Sequence, residues 1–221
     1  MLKSDNKHET AKAMKIKSIL FDFGGVIYMT PDLKWMKRWK NVLGIDDAPE
    51  ILELVENPNE SEVMRDICLG RISEESTWEY IAEKWHIKPQ LIHCIRQSVF
   101  SKRQLNKPMV DFIQEMHQSY QTGILSNAGD QTRHLMEEVL HLDSYVDDII
   151  ISAEEGLIKP DKRIFQIAMD RVDTTPDTTI FLDDYLVNVE AAREFGMKAV
   201  HFINNEQAFN DIRAYLEIGG S

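Results

Sequence analysis

Asp22 is the residue with the clearest chemical potential, because it ends the apolar run at residues 18–21 and is followed by Gly24 and Gly25. A continuous apolar run of this kind is typical of a strand buried on both faces of a parallel sheet. A carboxylate at the carboxyl end of such a strand lies where open α/β sheets bind ligands. The glycines allow a ligand to come close to the backbone. Taken alone, the segment favours a plain turn in which Asp22 bonds the local backbone.

Asp183 and Asp184 form a second acidic site after the apolar residues 180–182. Adjacent carboxylates at the end of a buried strand repel each other unless a cation or a donor lies between them. Magnesium uses one or two protein carboxylates and takes further oxygens from water and from substrate phosphate. Asn188 follows four residues after Asp184, where its amide is able to orient one carboxylate. The pair therefore predicts a divalent-cation site, in preference to an exposed acidic turn.

Two further segments carry groups suited to an anionic ligand. Ser126 and Asn127 end a second apolar run, and a hydroxyl and an amide ahead of a helix bind phosphate together with backbone N–H groups. Both residues are also routine helix caps, which is the commoner role. Lys159 precedes Pro160 and Asp161, which open a helix. This places its ammonium, expected to be free, at a helix end that prefers anions, so it is either a phosphate ligand or a solvated surface lysine.

The pattern of elements predicts an α/β fold with a Rossmann-like parallel sheet. A first strand is expected at residues 17–22, and from residue 108 onward helices and strands alternate, among them a helix at 130–141 and a strand at 146–152. This alternation indicates right-handed crossovers with helices on both faces of the sheet. Residues 29–100 show helical periodicity with hardly a strand signal, and helices are expected at 31–43 and 46–55 among others. We therefore predict a core of residues 1–28 and 101–221 and a helical-bundle cap of residues 29–100. Its linkers, near Met29 and at 101–107, should act as hinges.

The amino-acid composition limits the classes of partner that the protein is expected to bind. The 221 residues carry a formal net charge of −12, which repels nucleic-acid backbones, so no nucleic-acid binding is expected. No apolar stretch approaches the length of a membrane span, and residues 1–15 lack a signal-peptide pattern. Cys68 and Cys94 lack metal-ligand spacing and are expected to be reduced core thiols. Together these features predict a cytoplasmic protein, and the oligomeric state stays open.

The four segments together resemble the motifs of the haloacid dehalogenase superfamily, in the same order and with a helical cap inserted after the first. The resemblance covers nearly the whole chain from Lys17 and is carried by Phe21-Asp22-Phe23-Gly24-Gly25-Val26, Leu125-Ser126-Asn127, Lys159-Pro160 and Leu182-Asp183-Asp184. The cap segment Gly70-Arg71-Ile72-Ser73-Glu74-Glu75, the Lys-Pro-Asp segment and the double Asp look most like the sugar-1-phosphate phosphatase branch.

The resemblance implies hydrolysis of a small phosphorylated metabolite, such as a sugar phosphate, through an aspartyl-phosphate with Asp22 as nucleophile. It implies Mg²⁺ as cofactor, held by Asp22, the backbone carbonyl of Gly24 and Asp184, with Asp183 as a ligand or an outer partner. Phosphate would be bound by Ser126, the N–H of Asn127 and Lys159.

Gly24 departs from the pattern, because most phosphatases of the family carry there a second Asp that acts as general acid and base. Such help is typically worth a hundred- to ten-thousand-fold. The glycine leaves three readings: a slow enzyme, an enzyme with a substitute acid, or a catalytically impaired protein with a binding or regulatory role. A metal-independent dehalogenase is disfavoured, because Asp183 and Asp184 would then lack a cation. The sugar-1-phosphate branch resembles this chain in carrying glycine at that position.

Overall fold

The computed structural model describes residues 15–29, 61–84, 86–88, 90–94 and 104–218. In these residues the strands are β1 (Ser18–Phe21), β2 (Tyr28–Met29), β3 (Gln104–Leu105), β4 (Gln121–Ser126), β5 (Asp148–Ile151), β6 (Thr179–Asp183) and β7 (Lys198–His201). The α-helices are α1 (Glu62–Cys68), α2 (Glu74–Lys84), α3 (Lys107–His117), α4 (Thr132–His134), α5 (Ser152–Glu155), α6 (Lys162–Arg171), α7 (Leu186–Phe195) and α8 (Asn205–Ile218).

Five strands form one parallel sheet in the order β5-β4-β1-β6-β7, which confirms the predicted fold class. The first strand of the chain lies at the centre, with later strands on both sides of it. Phe21 pairs with Ile124 of β4 and with Leu182 of β6. The carboxyl ends of these three strands therefore meet at one edge, at the point where the chain changes direction in the sheet, and such points bind ligands in open α/β folds.

The sheet is buried on both faces by apolar side chains, which fixes its register. Successive residues of β1 alternate: Ile19 and Phe21 pack with residues of α3 and α8, whereas Leu20 packs on the opposite face with α6 and α7. A one-residue slip would exchange the two sets, so the alternation holds the strand ends in place. The position of Asp22, directly after β1, follows from this packing.

The cap is inserted between β1 and β4, and its base contains strands that the sequence pattern did not indicate. Tyr28 pairs with Leu105 and Met29 with Gln104, so β2 and β3 form a two-stranded antiparallel ribbon that joins the two linkers. Asn106, which is 9% exposed, donates from its backbone to Ile27 O (2.8 Å) and from its side chain to Val26 O (2.8 Å). The linkers are thus bonded to each other and to the loop after Asp22.

Other predictions differ in detail. The single helix expected at residues 130–141 is instead α4 followed by a π-helical turn, Leu135–Val139, and a left-handed His141. Cys68 is buried as expected, whereas Cys94 is exposed, so its prediction as a core thiol is wrong. The helices expected at 31–43 and 46–55 lie outside the described residues. Among the described helices, none has the length and apolarity needed to cross a membrane.

Candidate active site

Lys159 is the centre of the polar cluster at the carboxyl edge of the sheet. Its side chain is 1% exposed, and its ammonium donates to Asp22 Oδ1 (2.8 Å), Asp183 Oδ2 (2.7 Å) and the carbonyl of Leu125 (2.9 Å). The prediction of a free ammonium is therefore wrong, because all three N–H groups have acceptors. Burial disfavours the charged form, but the two facing carboxylates outweigh burial and keep the pKa of Lys159 above its usual value.

Asp183 is fully buried and serves mainly as a fixed acceptor. Its Oδ1 accepts the backbone N–H of Tyr185 (2.7 Å), and its Oδ2 accepts Lys159. The side-chain amide of Asn188 donates to both oxygens, at 3.2 and 3.1 Å, so the predicted orienting contact is present and its target is Asp183. These bonds occupy much of the acceptor capacity of the carboxylate and hold Lys159 in turn.

Asp22 has less support from its surroundings than Asp183. Its backbone N–H donates to Leu182 O (2.8 Å), which ties it to the end of β6, and its Oδ1 accepts Lys159. Burial raises the pKa of the Asp22 carboxyl from 3.8 to about 7, Lys159 opposes the rise and the charge of Asp183 adds to it. The cluster therefore holds a carboxylate whose charge is costly until a cation balances it.

Asp184 points toward the loop after Asp22. A Cβ on Gly25 would lie 2.0 Å from Asp184 Oδ2, and the φ of Gly25 is +80°, so only glycine allows this approach. His201 Nε2 lies 3.0 Å from the backbone carbonyl of Asp184. Burial raises the pKa of Asp184, and the charge of Asp183 adds to the rise. This carboxylate is more exposed than the other two and borders the solvent side of the cluster.

The carboxylates suit a divalent cation. Ligand oxygens of Asp22, Asp183 and Asp184 all lie within 4.8 Å of one another. Three ionised carboxylates facing one ammonium leave two negative charges in a largely buried place, and a divalent ion balances two charges. Oxygen donors of this kind are those that Mg²⁺ prefers. The residues present therefore fit the metal that the resemblance implies.

The side chain of Asn127 holds the loop that carries Lys159. Its Nδ2 donates to Lys159 O (2.9 Å), and its Oδ1 accepts Lys159 N (2.8 Å). Ser126 is 2% exposed at the end of β4, next to the carbonyl of Leu125 that accepts Lys159. The structure thus places both residues next to groups that bond Lys159, whose ammonium in turn donates to Asp22. The pairing of Asn127 with Lys159 was missed by the sequence reading, which considered Asn127 only as a cap or a phosphate ligand.

Gly24 has space around it. A Cβ built on it meets no heavy atom within 4 Å, in contrast to its neighbour Gly25. The fold therefore leaves room for a side chain at this position, and the lack of an acid there is not imposed by steric crowding. The Cβ of an aspartate at position 24 would meet no other atom.

Comparison with known proteins assigns the family. Residues 19–202 match the family model described as haloacid dehalogenase-like hydrolase. The chain belongs to this family. The match begins at β1 and extends past β7, so it includes all the residues of the strand-end cluster.

Individual relatives are more distant. The chain is 28% identical over 126 residues to mouse bifunctional epoxide hydrolase 2, which covers 55% of this chain and only 23% of that protein. It is 28% identical over 203 residues to a D-ribitol-5-phosphate phosphatase of Bacteroides thetaiotaomicron, covering 83% of this chain and 90% of that one.

The structures of known proteins support the fold. A haloacid-dehalogenase-family enzyme from Bacteroides thetaiotaomicron, solved in complex with magnesium and inorganic phosphate, superposes with a TM-score of 0.69 at 19% identity. The similarity covers 84% of this chain and 93% of that one. At this level of identity the likeness shows the fold alone.

Proposed function

We propose that this protein is a Mg²⁺-dependent phosphatase that hydrolyses a small phosphorylated metabolite through an aspartyl-phosphate on Asp22. The observation that carries the proposal is the buried cluster in which one ammonium is shared by Asp22 and Asp183 while Asp184 completes an oxygen-rich cation site. A family member with one nucleophilic carboxylate, one buried lysine and a carboxylate pair has the groups that phosphoryl transfer requires.

The residues that would hold Mg²⁺ are Asp22, the carbonyl of Gly24 and Asp184. When bound, the ion would supply positive charge that screens the anionic phosphate from the carboxylates. Asp183, already engaged by Lys159, Asn188 and the N–H of Tyr185, acts in this proposal mainly by fixing Lys159.

In the first step, a carboxylate oxygen of Asp22 attacks phosphorus, and the bond between phosphorus and the ester oxygen breaks. Ser126 Oγ and the N–H of Asn127 bind the phosphoryl oxygens and orient them for this in-line displacement. Lys159 joins them by exchanging its bond to the carbonyl of Leu125 for one to a phosphoryl oxygen. The bond from Lys159 to Asp22 Oδ1 also holds the Asp22 carboxylate in a fixed orientation. In the second step, water attacks phosphorus, which releases inorganic phosphate and restores the Asp22 carboxylate.

Gly24 offers no proton to the departing oxygen. The leaving alcohol therefore departs largely unprotonated or takes its proton from water, which favours leaving groups of low pKa. An anomeric sugar hydroxyl is more acidic than a primary alcohol, so a sugar 1-phosphate is the substrate class that we favour. The name of the Bacteroides relative, however, specifies a polyol 5-phosphate. A direct comparison of the two classes is needed.

The division of the chain supports the same proposal. We assign residues 1–28 and 101–221 to the catalytic core and residues 29–100 to the cap, which would select the part of the substrate beyond the phosphate. The β2–β3 ribbon lies at this boundary and supports it. A cytoplasmic location stays a prediction.

The test is turnover of a generic phosphate ester, para-nitrophenyl phosphate, by purified protein with Mg²⁺ and with a chelator. The proposal requires turnover with Mg²⁺ and its loss with the chelator. Release of halide from a 2-haloacid without metal would instead indicate a dehalogenase. Binding of phosphate without turnover of any ester in a metabolite phosphate screen would indicate a binding or regulatory protein.

A further inference from the structure

The described part of the cap contacts the core along a seam, which we define as residues 67–74 of the cap against residues 128–130 and 152–153 of the core. Ser152 is fully buried, and its hydroxyl donates to the backbone carbonyl of Cys68 (2.7 Å) in the cap. The same Oγ accepts the N–H of Ala128 (3.0 Å). One side chain thus joins a cap helix to the loop that follows β4.

Close packing accompanies this bond. A Cβ on Gly129 of the core would lie 2.5 Å from Glu74 Oε1 and 2.7 Å from Ile67 Cγ2, both in the cap. The two surfaces are therefore so close that a larger residue at position 129 would require the side chains of Glu74 and Ile67 to shift. Ile67 is 6% exposed, so its contact with the core contributes apolar burial as well.

Asp130 adds a directional contact across the seam. Its Oδ1 accepts the backbone N–H of Glu74 (3.0 Å), the first residue of α2. The first N–H groups of a helix lack partners within the helix, and a side-chain carboxylate that accepts one of them caps the helix. Within the cap, Ser73 Oγ already accepts the N–H of Ser76 (3.0 Å), so Asp130 is a second capping partner of α2, contributed by the core. Docking of the cap therefore depends on where Asp130 is held.

The position of Asp130 depends in turn on the phosphate loop. Asp130 follows Ser126 by four residues, and the intervening loop contains Asn127, whose side chain clamps the backbone of Lys159. Ala128 donates its backbone N–H to Ser152 Oγ (3.0 Å), and its carbonyl accepts the N–H of Ala153 (3.3 Å). A ligand that orders residues 126–127 therefore also orders the residue that caps α2.

We propose that Asp130 is a positioning residue that couples the phosphate-binding loop to docking of the cap. Its carboxylate transmits order in residues 126–130 to the first turn of α2, and a docked α2 restrains the same loop in return. The reciprocal effect is required by linkage between the two binding events. The coupling to phosphate rests on the proposed function, whereas the capping contact itself does not.

The test is hydrogen exchange measured by mass spectrometry on the full chain with Mg²⁺, with and without inorganic phosphate. We expect the segment 74–84 to exchange about five times faster in Asp130→Ala than in the wild type, the factor expected for loss of one helix-capping bond. Asp130→Asn keeps an acceptor oxygen and should exchange at close to the wild-type rate. Asp143→Ala, an exposed aspartate away from the seam, is the matched control.

Phosphate should slow exchange of residues 74–84 in the wild type and in Asp130→Asn, and much less in Asp130→Ala. With a phosphate ester, the loss in kcat/KM of Asp130→Ala should be about five-fold and appear in KM, since the docked cap is recruited as substrate binds. Gly129→Ala, which leaves Asp130 in place and wedges the seam, should also speed exchange of 74–84.

Two outcomes would overturn the proposal. Equal exchange of residues 74–84 in the wild type and Asp130→Ala would show that the capping contact does not hold the cap. Equal slowing by phosphate in both proteins would show that Asp130 transmits nothing. A wild type that binds phosphate but lacks turnover would contradict the proposed function, while the exchange comparison would still decide the role of Asp130.

Discussion

The strand-end cluster and the seam differ in where the partners of their polar groups come from. In the cluster, Lys159 and Asp183 are almost completely buried, and each makes several bonds to residues of the core. In the seam, two polar contacts join the core to the cap: the buried bond from Ser152 to the carbonyl of Cys68 and the exposed bond from Glu74 N–H to Asp130. The cluster is therefore organised without help from the described part of the cap, whereas the polar contacts of the seam exist only while cap and core are docked.

The two regions also differ in what they contribute to stability. Burial of Asp22 beside Asp183 raises its pKa, which means that its ionised form opposes folding. The seam adds a capping bond and apolar burial, which favour the docked state. The comparison indicates that the cluster is arranged for chemistry at some expense in stability, a common property of active sites.

The largest effect is expected from Asp22→Asn. Turnover should fall by at least about a thousand-fold, because the nucleophile is lost. The folded chain binds the Asp22 proton more tightly than the unfolded chain, so the contribution of this group to stability declines as pH rises from about 4 to about 7. Without Mg²⁺ at pH 8, the variant should therefore have a higher Tm than the wild type, by roughly 2–4 °C for each kcal/mol recovered.

Thermal unfolding of both proteins at pH 5 and pH 8 in a chelator tests whether Asp22→Asn has the higher Tm at pH 8. Asp143→Asn makes the same substitution at an exposed site and should leave Tm nearly unchanged at both values. If the Tm of Asp22→Asn at pH 8 is equal to or below that of the wild type, the ionised Asp22 carboxylate does not oppose folding and the difference between the two regions is contradicted.

Alkylation of the two cysteines should differ by about a hundred-fold or more. Burial raises the pKa of the Cys68 thiol to about 12, and the nearby charge of Glu74 adds to the rise. The thiolate is the reactive form, so Cys68 should resist iodoacetamide at pH 8, whereas the exposed Cys94 should react readily. Cys68 lies in the seam, so its labelling rate in Gly129→Ala should increase. Comparable labelling of both cysteines in the native wild type would show that the seam is not closed.

A smaller effect is expected from Gly24→Asp. An acid at this position should speed hydrolysis of esters with basic leaving groups by at least about ten-fold, part of the range typical of general acid catalysis. The rate of the wild type should depend steeply on leaving-group pKa across substituted aryl phosphates, and the variant should flatten that dependence. Gly24→Ala changes the backbone in the same way without adding an acid. A flat dependence in the wild type would mean that another group already serves as the acid.

Much of the core was predictable from the sequence because its signals are local. Apolar runs that end in polar residues predicted the strands of the sheet, and the order of the motifs predicted which strand ends meet. Boundaries differed by one or two residues, as at β5, which was expected to extend through Ser152. The β2–β3 ribbon was missed because two-residue strands carry no periodicity, and its pairing joins positions far apart in the chain.

Contacts between segments far apart in the chain were the main feature that the sequence did not predict. The motif resemblance placed Lys159 in the same site as Asp22 and Asp183, but it gave no sign that the ammonium would donate to both carboxylates. Ser152 follows an apolar strand just as Ser126 does, and that shared pattern was the one signal that marked it. Asp130 looked like an ordinary residue of a helix start, because its partner is the backbone of another part of the chain.

Trapping of the phosphorylated enzyme tests the central claim most directly. Wild-type protein is quenched in acid during turnover of a phosphate ester with Mg²⁺, digested and examined by mass spectrometry, with Asp22→Asn treated in parallel. The account predicts one hydroxylamine-sensitive phosphoryl group on the peptide that contains Asp22, and none in the variant. Sustained turnover by the wild type with a phosphoryl group on another residue, or undiminished turnover by the variant, would contradict the assignment of Asp22 as the nucleophile.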